Sequence, residues 1–295
     1  MAGVYSGAMD KGSRTSAGRP AVRHRSRARI RLIALDLDGT LLSSRKTITP
    51  LTHTAIKAVV KAGVKVVLAT ARPPRSVRCY YEALGLDTPT INYNGALIWN
   101  ERQRQVVEHV PLDVAVAKKV IAWGRKIYPE LLVSIEILDK WYTDHYEDLP
   151  EYMTETAKQF TPDFIGPLDA FMKVPITKLM LLGSPARIAE LERGIAQKFA
   201  TEVAQTRSDA HMLQLMNPRT SKAGALAKVA SSLNISAAEV MAVGDAPNDM
   251  HMLQYAGLAV VPENGWDAVK QVAHALVPSN DQDGVAIAIQ KFVLK

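Results

Sequence analysis

The sequence predicts an α/β fold: a doubly wound, mainly parallel, Rossmann-like core interrupted by an inserted α+β domain. Three observations carry this expectation. Apolar runs at 30–35 and 64–69, and strand patterns at 239–243 and 258–261, read as buried strands. Each is followed by a stretch with helical spacing, the alternation of a parallel sheet with right-handed crossovers. Between 98 and 217 that alternation gives way to shorter strand-like runs with hairpin-type connections, so the core is discontinuous.

The first strand ends at Asp36-Leu37-Asp38-Gly39-Thr40. Thr49 then supplies an N-cap with Pro50 at the first helical position; Ile56, Val59 and Val60 set the apolar face, and Gly63 stops the helix. The second strand ends at Thr70-Ala71-Arg72, and Pro73-Pro74 opens a helix that closes at Gly85. A short strand at 90–93 ends at Asn94-Gly95. In the insert, helical patterns at 112–127 and 185–199 are interleaved with strand-like runs at 131–138, 176–182, 202–206 and 211–215, with Ser208-Asp209 as a hairpin turn. An antiparallel sheet backed by two helices is expected there. The parallel pattern resumes after Asn217-Pro218, where Thr220 caps a helix carrying Lys222, Leu226 and Val229. Gly244-Asp245-Ala246-Pro247-Asn248-Asp249 closes the strand at 239–243. Helices at 250–255 and 266–272, a strand at 275–277, the loop 279–284 and a last helix complete the chain. The expected division is a disordered basic tail over 1–28, a core over 29–97 and 218–295, and a cap over 98–217.

The 295 residues suffice for about two domains. A single cysteine, Cys79, rules out an intramolecular disulfide and a cysteine-rich metal site, and fits a reducing compartment. Its place in a helical pattern reads as a small buried hydrophobe. No apolar run approaches the ~20 residues needed to cross a membrane. The formal charge of +7 lies entirely in residues 1–31, where Lys11 and seven arginines face one acid, Asp10. The remainder is neutral, which disfavours nucleic acid as a partner of the folded part. The tail, rich in Gly, Ser, Ala and Arg, lacks the apolar segment of a secretory signal. Cytoplasmic placement is expected, or an organelle stroma or matrix if the tail is a transit peptide.

Parallel strands share one carboxyl edge, so Asp36, Thr70 and Asn94 converge there, joined by Asp38, Asp245, Asn248, Asp249 and Lys222. Two acids one residue apart are also what a solvated turn carries, but a calcium loop would want oxygen ligands at every second position with glycine sixth. Several carboxylates at one place repel unless a cation sits among them, and an all-oxygen site with retained waters suits Mg²⁺. The Thr70 hydroxyl, the Lys222 ammonium and the backbone N–H groups after Asp36 are donors suited to phosphoryl oxygens. This is a phosphoryl-transfer site in outline, without a P-loop. Asp36, at the strand tip, is the candidate nucleophile and Asp38 the candidate general acid/base. Asn94 reads as a turn former, Arg72 as a helix cap or a substrate contact, and Asp283 as an acid at the start of the last helix. Among the aromatic residues Trp141, Tyr142, His145 and Tyr146, packing between sheet and helix is the plainer reading.

Asp36-Leu37-Asp38-Gly39-Thr40-Leu41-Leu42, Leu68-Ala69-Thr70, Lys222 and Gly244-Asp245-Ala246-Pro247-Asn248-Asp249, in this order, resemble the four motifs of the haloacid dehalogenase superfamily of phosphatases. Asn94-Gly95-Ala96 and Ser279-Asn280-Asp281-Gln282-Asp283-Gly284-Val285 are similar to segments of its Cof-type class IIB branch, whose cap is inserted at the same point. The resemblance implies an aspartyl phosphate on Asp36, acid/base work by Asp38, and Mg²⁺ held by Asp36, the Asp38 carbonyl and Asp245, with Asp249 in support. It further implies phosphate contacts from Thr70, Ala71, Lys222 and Asn248. Ala71 stands where the family has glycine and keeps the N–H, whereas Pro262-Glu263 replaces Met-Gly and bears on substrate orientation.

The function expected is therefore Mg²⁺-dependent hydrolysis of a small organic phosphomonoester, such as a sugar phosphate or phosphorylated cofactor, under a mobile cap. A sugar phosphomutase using the same aspartyl phosphate is the alternative within this chemistry. A non-catalytic regulatory or polyanion-binding protein acting through the tail is the alternative of another class. The partner expected is the small-molecule ester, with no membrane; the oligomeric state is left open.

Overall fold

A computed structural model describes residues 28–145 and 156–294. The expected tail, apart from its last residue, and Tyr146 lie outside the described residues. The chain opens with β1 (Leu32–Leu35), α1 (Pro50–Lys61), β2 (Lys65–Leu68), α2 (Pro74–Leu84) and β3 (Thr90–Asn92). The α1 start is the one the sequence predicts, with the Thr49 hydroxyl accepting from the Thr52 N–H and Pro50 beginning the helix. The α2 end is too, with Gly85 in the left-handed region at φ 66°.

Two strands absent from the sequence reading follow, β4 (Leu97–Asn100) and β5 (Gln105–His109), antiparallel to each other and, through β4, to β3. Most of β5 is exposed, so no apolar run announces it. Residues 98–109 thereby stay attached to core strand β3.

The cap elements are α3 (Val114–Ile127), β6 (Leu132–Ile137), β7 (Lys140–Thr143), β8 (Phe164–Ile165), β9 (Lys178–Leu182), α4 (Pro185–Lys198), β10 (Ala204–Asp209) and β11 (Met212–Met216). Its strands run β10-β11-β9-β6-β7-β8, antiparallel except for the β7–β8 pair. Strand alternation gives the sheet two different faces. Val133, Ile135, Leu179, Leu181, Leu213 and Leu215 pack under α3 and α4 with Val120, Ile188, Leu191 and Ile195. The intervening residues point the other way, toward the core. The β10 strand extends through Asp209, with a bulge between Arg207 and Asp209, so the hairpin turn falls at Ala210-His211 rather than at Ser208-Asp209.

The core resumes with α5 (Lys222–Ser232), β12 (Val240–Val243), α6 (Met250–Tyr255), β13 (Leu258–Pro262), α7 (Asp267–Lys270), β14 (Ala275–Val277) and α8 (Gly284–Phe292). The N-cap of α5 is Ser221, one residue later than expected, its hydroxyl accepting from the Gly224 N–H at 3.0 Å. The main sheet is all parallel, ordered β14-β13-β12-β1-β2, and a bridge between Ala69 and Ile91 carries it on to β3. Ile33 and Leu35 of β1 meet α1, α2 and α8 on one side, while Leu32 and Ala34 meet α5 and α6 on the other. Burial on both faces is why these strands read as unbroken apolar runs.

Two single-residue expectations are corrected. Cys79 is exposed, because the buried stripe of α2 runs through Ser76, Val77, Tyr81 and Leu84 and leaves residue 79 outside it. The Asp283 carboxylate makes no cap bond to α8; it accepts from the Thr49 and Thr52 hydroxyls and so ties the start of α1 to the end of the chain.

Cap and core meet along α2. Arg75 donates to Glu136 at 2.9 Å, and the Arg75 N–H to Asp139 at 2.8 Å, while Arg78 reaches Asp139 at 3.1 Å. The buried Tyr93 hydroxyl donates to the Leu138 carbonyl at 2.7 Å. Among the described residues no helix is long and apolar enough to cross a membrane.

Gly95 follows β3 at φ +99°, and a Cβ there would lie 2.3 Å from the Ser221 carbonyl oxygen, at the start of the helix that carries Lys222. Gly95→Ala combines a strained φ with a backbone clash and is expected to lower stability by about 2–4 kcal/mol in urea unfolding.

Candidate active site

Each polar residue singled out in the sequence stands just beyond a strand of the parallel sheet or at an adjoining helix start. Asp36 follows β1 and is buried, its N–H donating to the Val243 carbonyl at 3.0 Å. Lys222, the first residue of α5, is wholly enclosed and donates to Asp36 Oδ1 at 2.5 Å and to Asp249 Oδ1 at 2.7 Å. The other oxygen of Asp249 accepts from the backbone N–H groups of Asp245 and Ala246, both at 3.1 Å, which pins the loop after β12. Asp245 Oδ1 accepts from the Thr40 hydroxyl at 2.7 Å, joining that loop to the one after β1. Gly39 lies at φ +79°, and a Cβ on it would be 2.5 Å from Asp245 Oδ2. Its bareness therefore makes room for the second carboxylate.

Asp36, Asp245 and Asp249 each bring a carboxylate oxygen within 4.8 Å of one another. Burial, followed by repulsion from Asp249, holds the Asp36 pKa well above its ordinary value although Lys222 opposes both. Burial also raises Asp245, to about 6, the Thr40 hydrogen bond acting against it and Asp249 with it. Lys222 is held firmly protonated: burial lowers its pKa, but the charges of Asp249 and Asp36 outweigh that. Three carboxylates are thus crowded together, with one ammonium bonded to two of them. Crowded hard oxygen donors of this kind fit a divalent cation such as Mg²⁺.

Asp38 behaves differently. Arg72 grips it with two bonds, Nε to Oδ2 at 2.7 Å and Nη2 to Oδ1 at 2.6 Å, and Lys46 adds a third at 2.7 Å. Burial pushes its pKa up, but Arg72 and then Lys46 prevail and hold it below the usual carboxylate value. Neither partner was assigned to Asp38 in the sequence, where nothing near Arg72 or Lys46 marks a contact that only the fold creates.

Asp36 and Asp38 line a cavity of about 590 Å³ together with Thr70, Ala71, Asn94 and Asn248. Asn248 donates to the Asn94 side-chain oxygen at 3.0 Å, and the Thr70 hydroxyl accepts from the Arg72 N–H at 3.2 Å. Asn94 is more than a turn former, though it adopts a left-handed conformation at φ 54°. The roof is the core-facing side of the cap sheet, including Glu136, Trp141, Lys178 and Met180. Tyr142, by contrast, stacks on Phe164 at 4.8 Å. Pro262 and Glu263 stay outside the cavity: Glu263 is exposed, and its N–H donates to the Val277 carbonyl at 2.9 Å.

Fold and site together define a phosphatase-type enzyme, an α/β core whose carboxylate-rich edge is roofed by an inserted sheet. The chain belongs to the haloacid dehalogenase-like hydrolases, whose family model matches residues 33–289. It is 30% identical over 265 residues to the 5-amino-6-(5-phospho-D-ribitylamino)uracil phosphatase YitU of Bacillus subtilis, covering 88% of this chain and 97% of that protein. A haloacid dehalogenase-like hydrolase from Bacteroides thetaiotaomicron superposes with a TM-score of 0.79 at 25% identity, covering 89% and 99% of the two chains. The subclass IIB sugar phosphatase BT4131 shares the fold at a TM-score of 0.76 and 18% identity, over 89% and 98%. The cap is of that class IIB kind.

The raised pKa of Asp245 has a definite sign in linkage. Folding favours its protonated form, so its contribution to stability is full below 3.8 and is lost as pH rises through about 6. In metal-free buffer the native protein is expected to lose on the order of 2 kcal/mol relative to Asp245→Asn across that interval. Urea unfolding of both proteins over a pH series measures it, and a flat difference would contradict the assignment.

Proposed function

We propose that this protein is a Mg²⁺-dependent phosphomonoesterase that works through an aspartyl phosphate on Asp36. The observation that carries the reading is a buried Asp36 carboxylate, 2.5 Å from the Lys222 ammonium, at the floor of a cavity edged by Thr70, Ala71, Asn94 and Asn248. One Asp36 oxygen attacks phosphorus as the ester oxygen leaves, and water then releases phosphate from the acylphosphate. Lys222 orients the nucleophile, while the Thr70 hydroxyl, the Ala71 N–H and the Asn248 amide donate to phosphoryl oxygens. Asp36, the Asp38 carbonyl and Asp245 would hold Mg²⁺, with Asp249 fixing the loop behind. The bound ion supplies positive charge that lets an anionic nucleophile meet an anionic phosphate.

Asp38 donates a proton to the leaving oxygen and later takes one from water. For this it must exchange Arg72 and Lys46, which hold it ionised, for the ester. An arriving phosphate dianion competes for both cations and so favours the exchange. In this reading the cap proper starts beyond β5, since residues 98–109 pair with the core. A phosphate on a chain that ends in a ring is in scale with the cavity. The substrate named for the B. subtilis relative is therefore the first ester to assay.

Native protein is expected to hydrolyse p-nitrophenyl phosphate with Mg²⁺ and to stop when the ion is chelated. Asp36→Asn should lose about a thousandfold or more in kcat. Equal rates for the two proteins would remove Asp36 as nucleophile.

A further inference from the structure

On the roof of the cavity one charged group has no part in the chemistry above. Lys178 begins β9 and shares the cavity-facing side of that strand with Met180 and Leu182. Only 5% of the residue is exposed. Among the described residues no carboxylate lies within 4.0 Å of its ammonium and no oxygen accepts a hydrogen bond from it. Its register partner on β6, Glu136, is engaged by Arg75 at 2.9 Å and by the Tyr93 hydroxyl at 3.1 Å.

An ammonium largely withdrawn from water without a hydrogen-bonded partner is costly. What offsets that here is modest: the Tyr93 ring, with its centre 5.1 Å from the nitrogen, and the more distant charge of Glu136. Burial accordingly draws the Lys178 pKa down to about 8, with Glu136 pulling upward and Arg75 adding to the decrease. The remainder of β9 is Leu-Met-Leu-Leu, so Lys178 is the one charge on that strand. Beside it Met180, Leu182, Met212 and Trp141 form a single packed cluster, an adaptable surface suited to a flat ring.

We propose that Lys178 is a substrate-recognition residue whose ammonium donates to an oxygen acceptor, carbonyl or carboxylate, on the leaving portion of the ester, while Met180, Leu182 and Met212 receive the apolar part of the same group. The proposal rests on the phosphatase reading, which sets the phosphate end at Asp36. An acceptor on the ester supplies the charge-assisted bond that Lys178 lacks among the described residues. An ester without one leaves the cation buried and unpaired, so discrimination comes as much from penalty as from attraction.

Binding without turnover tests this. Short linear alkylphosphonates of increasing length, ending in methyl, primary amide or carboxylate, are titrated calorimetrically with Mg²⁺ into native protein and Lys178→Met. At one length or more the native protein should bind an oxygen-ended ligand at least about tenfold tighter than its methyl-ended counterpart. In Lys178→Met that ratio should fall to near one. An effect with the amide assigns a carbonyl acceptor; an effect with the carboxylate alone assigns an anion. A ratio near one at every length in the native protein, or a preference that survives in Lys178→Met, overturns the proposal. If Lys178→Met fails to fold, Lys178→Gln is used with the same expectation of a reduced ratio. Failure of the phosphatase reading looks different, because native protein would then not turn over p-nitrophenyl phosphate whatever the phosphonate ratios.

Discussion

Three carboxylates are forced together at the end of a parallel sheet, with one enclosed ammonium among them. Asp36, Asp245 and Asp249 come from two loops far apart in sequence, and Lys222 from a helix start that follows the insert. Such a group is tolerable only where hydrogen bonds and the ammonium offset much of its charge. Asp249 spends its two oxygens on Lys222 and on two backbone N–H groups, and Asp245 one of its own on Thr40. The surplus negative charge makes the cluster compatible with a divalent cation. Much of the surrounding architecture serves to keep these groups close. Gly39 and Gly95 are bare where a methyl would strike Asp245 or the backbone before Lys222.

Arg72 and Lys46 impose a second constraint on Asp38. They keep it charged, so two acids one residue apart occupy opposite electrostatic regimes. Asp36 is enclosed and resists ionisation; Asp38 is partly open and is held ionised by hydrogen bonds. Separation of this kind is how neighbouring carboxyl groups acquire different tasks.

The core was legible because burial on both faces writes a strand as an unbroken apolar run, and the first polar residue after each run marks the sheet edge. That logic brought Asp36, Thr70, Asn94 and Asp245 together from sequence alone. It had no hold on β5, which is mostly exposed, nor on the Arg72–Asp38 grip, which joins residues 34 positions apart through the fold. Cys79 is exposed, and a helical pattern around it does not define which way a narrow apolar stripe faces. Lys178 escaped notice for a related reason: a lysine opening an apolar strand reads as a solvated end, and only the inserted sheet lying over the core turns it inward.

The two faces of the cap sheet have a consequence for how the protein can change. Odd-numbered positions of β6, β9 and β11 hold the cap together under its helices, while even-numbered positions of the same strands look onto the cavity. Cap packing and cavity lining are thus written on alternating letters of one text. Substitution at 134, 178, 180, 212 or 214 changes the cavity wall while the letters between go on specifying the same sheet. A single-residue insertion in any of these strands would scramble both messages at once. Point changes at the cavity-facing positions therefore alter the cavity wall without disturbing the packing under the helices.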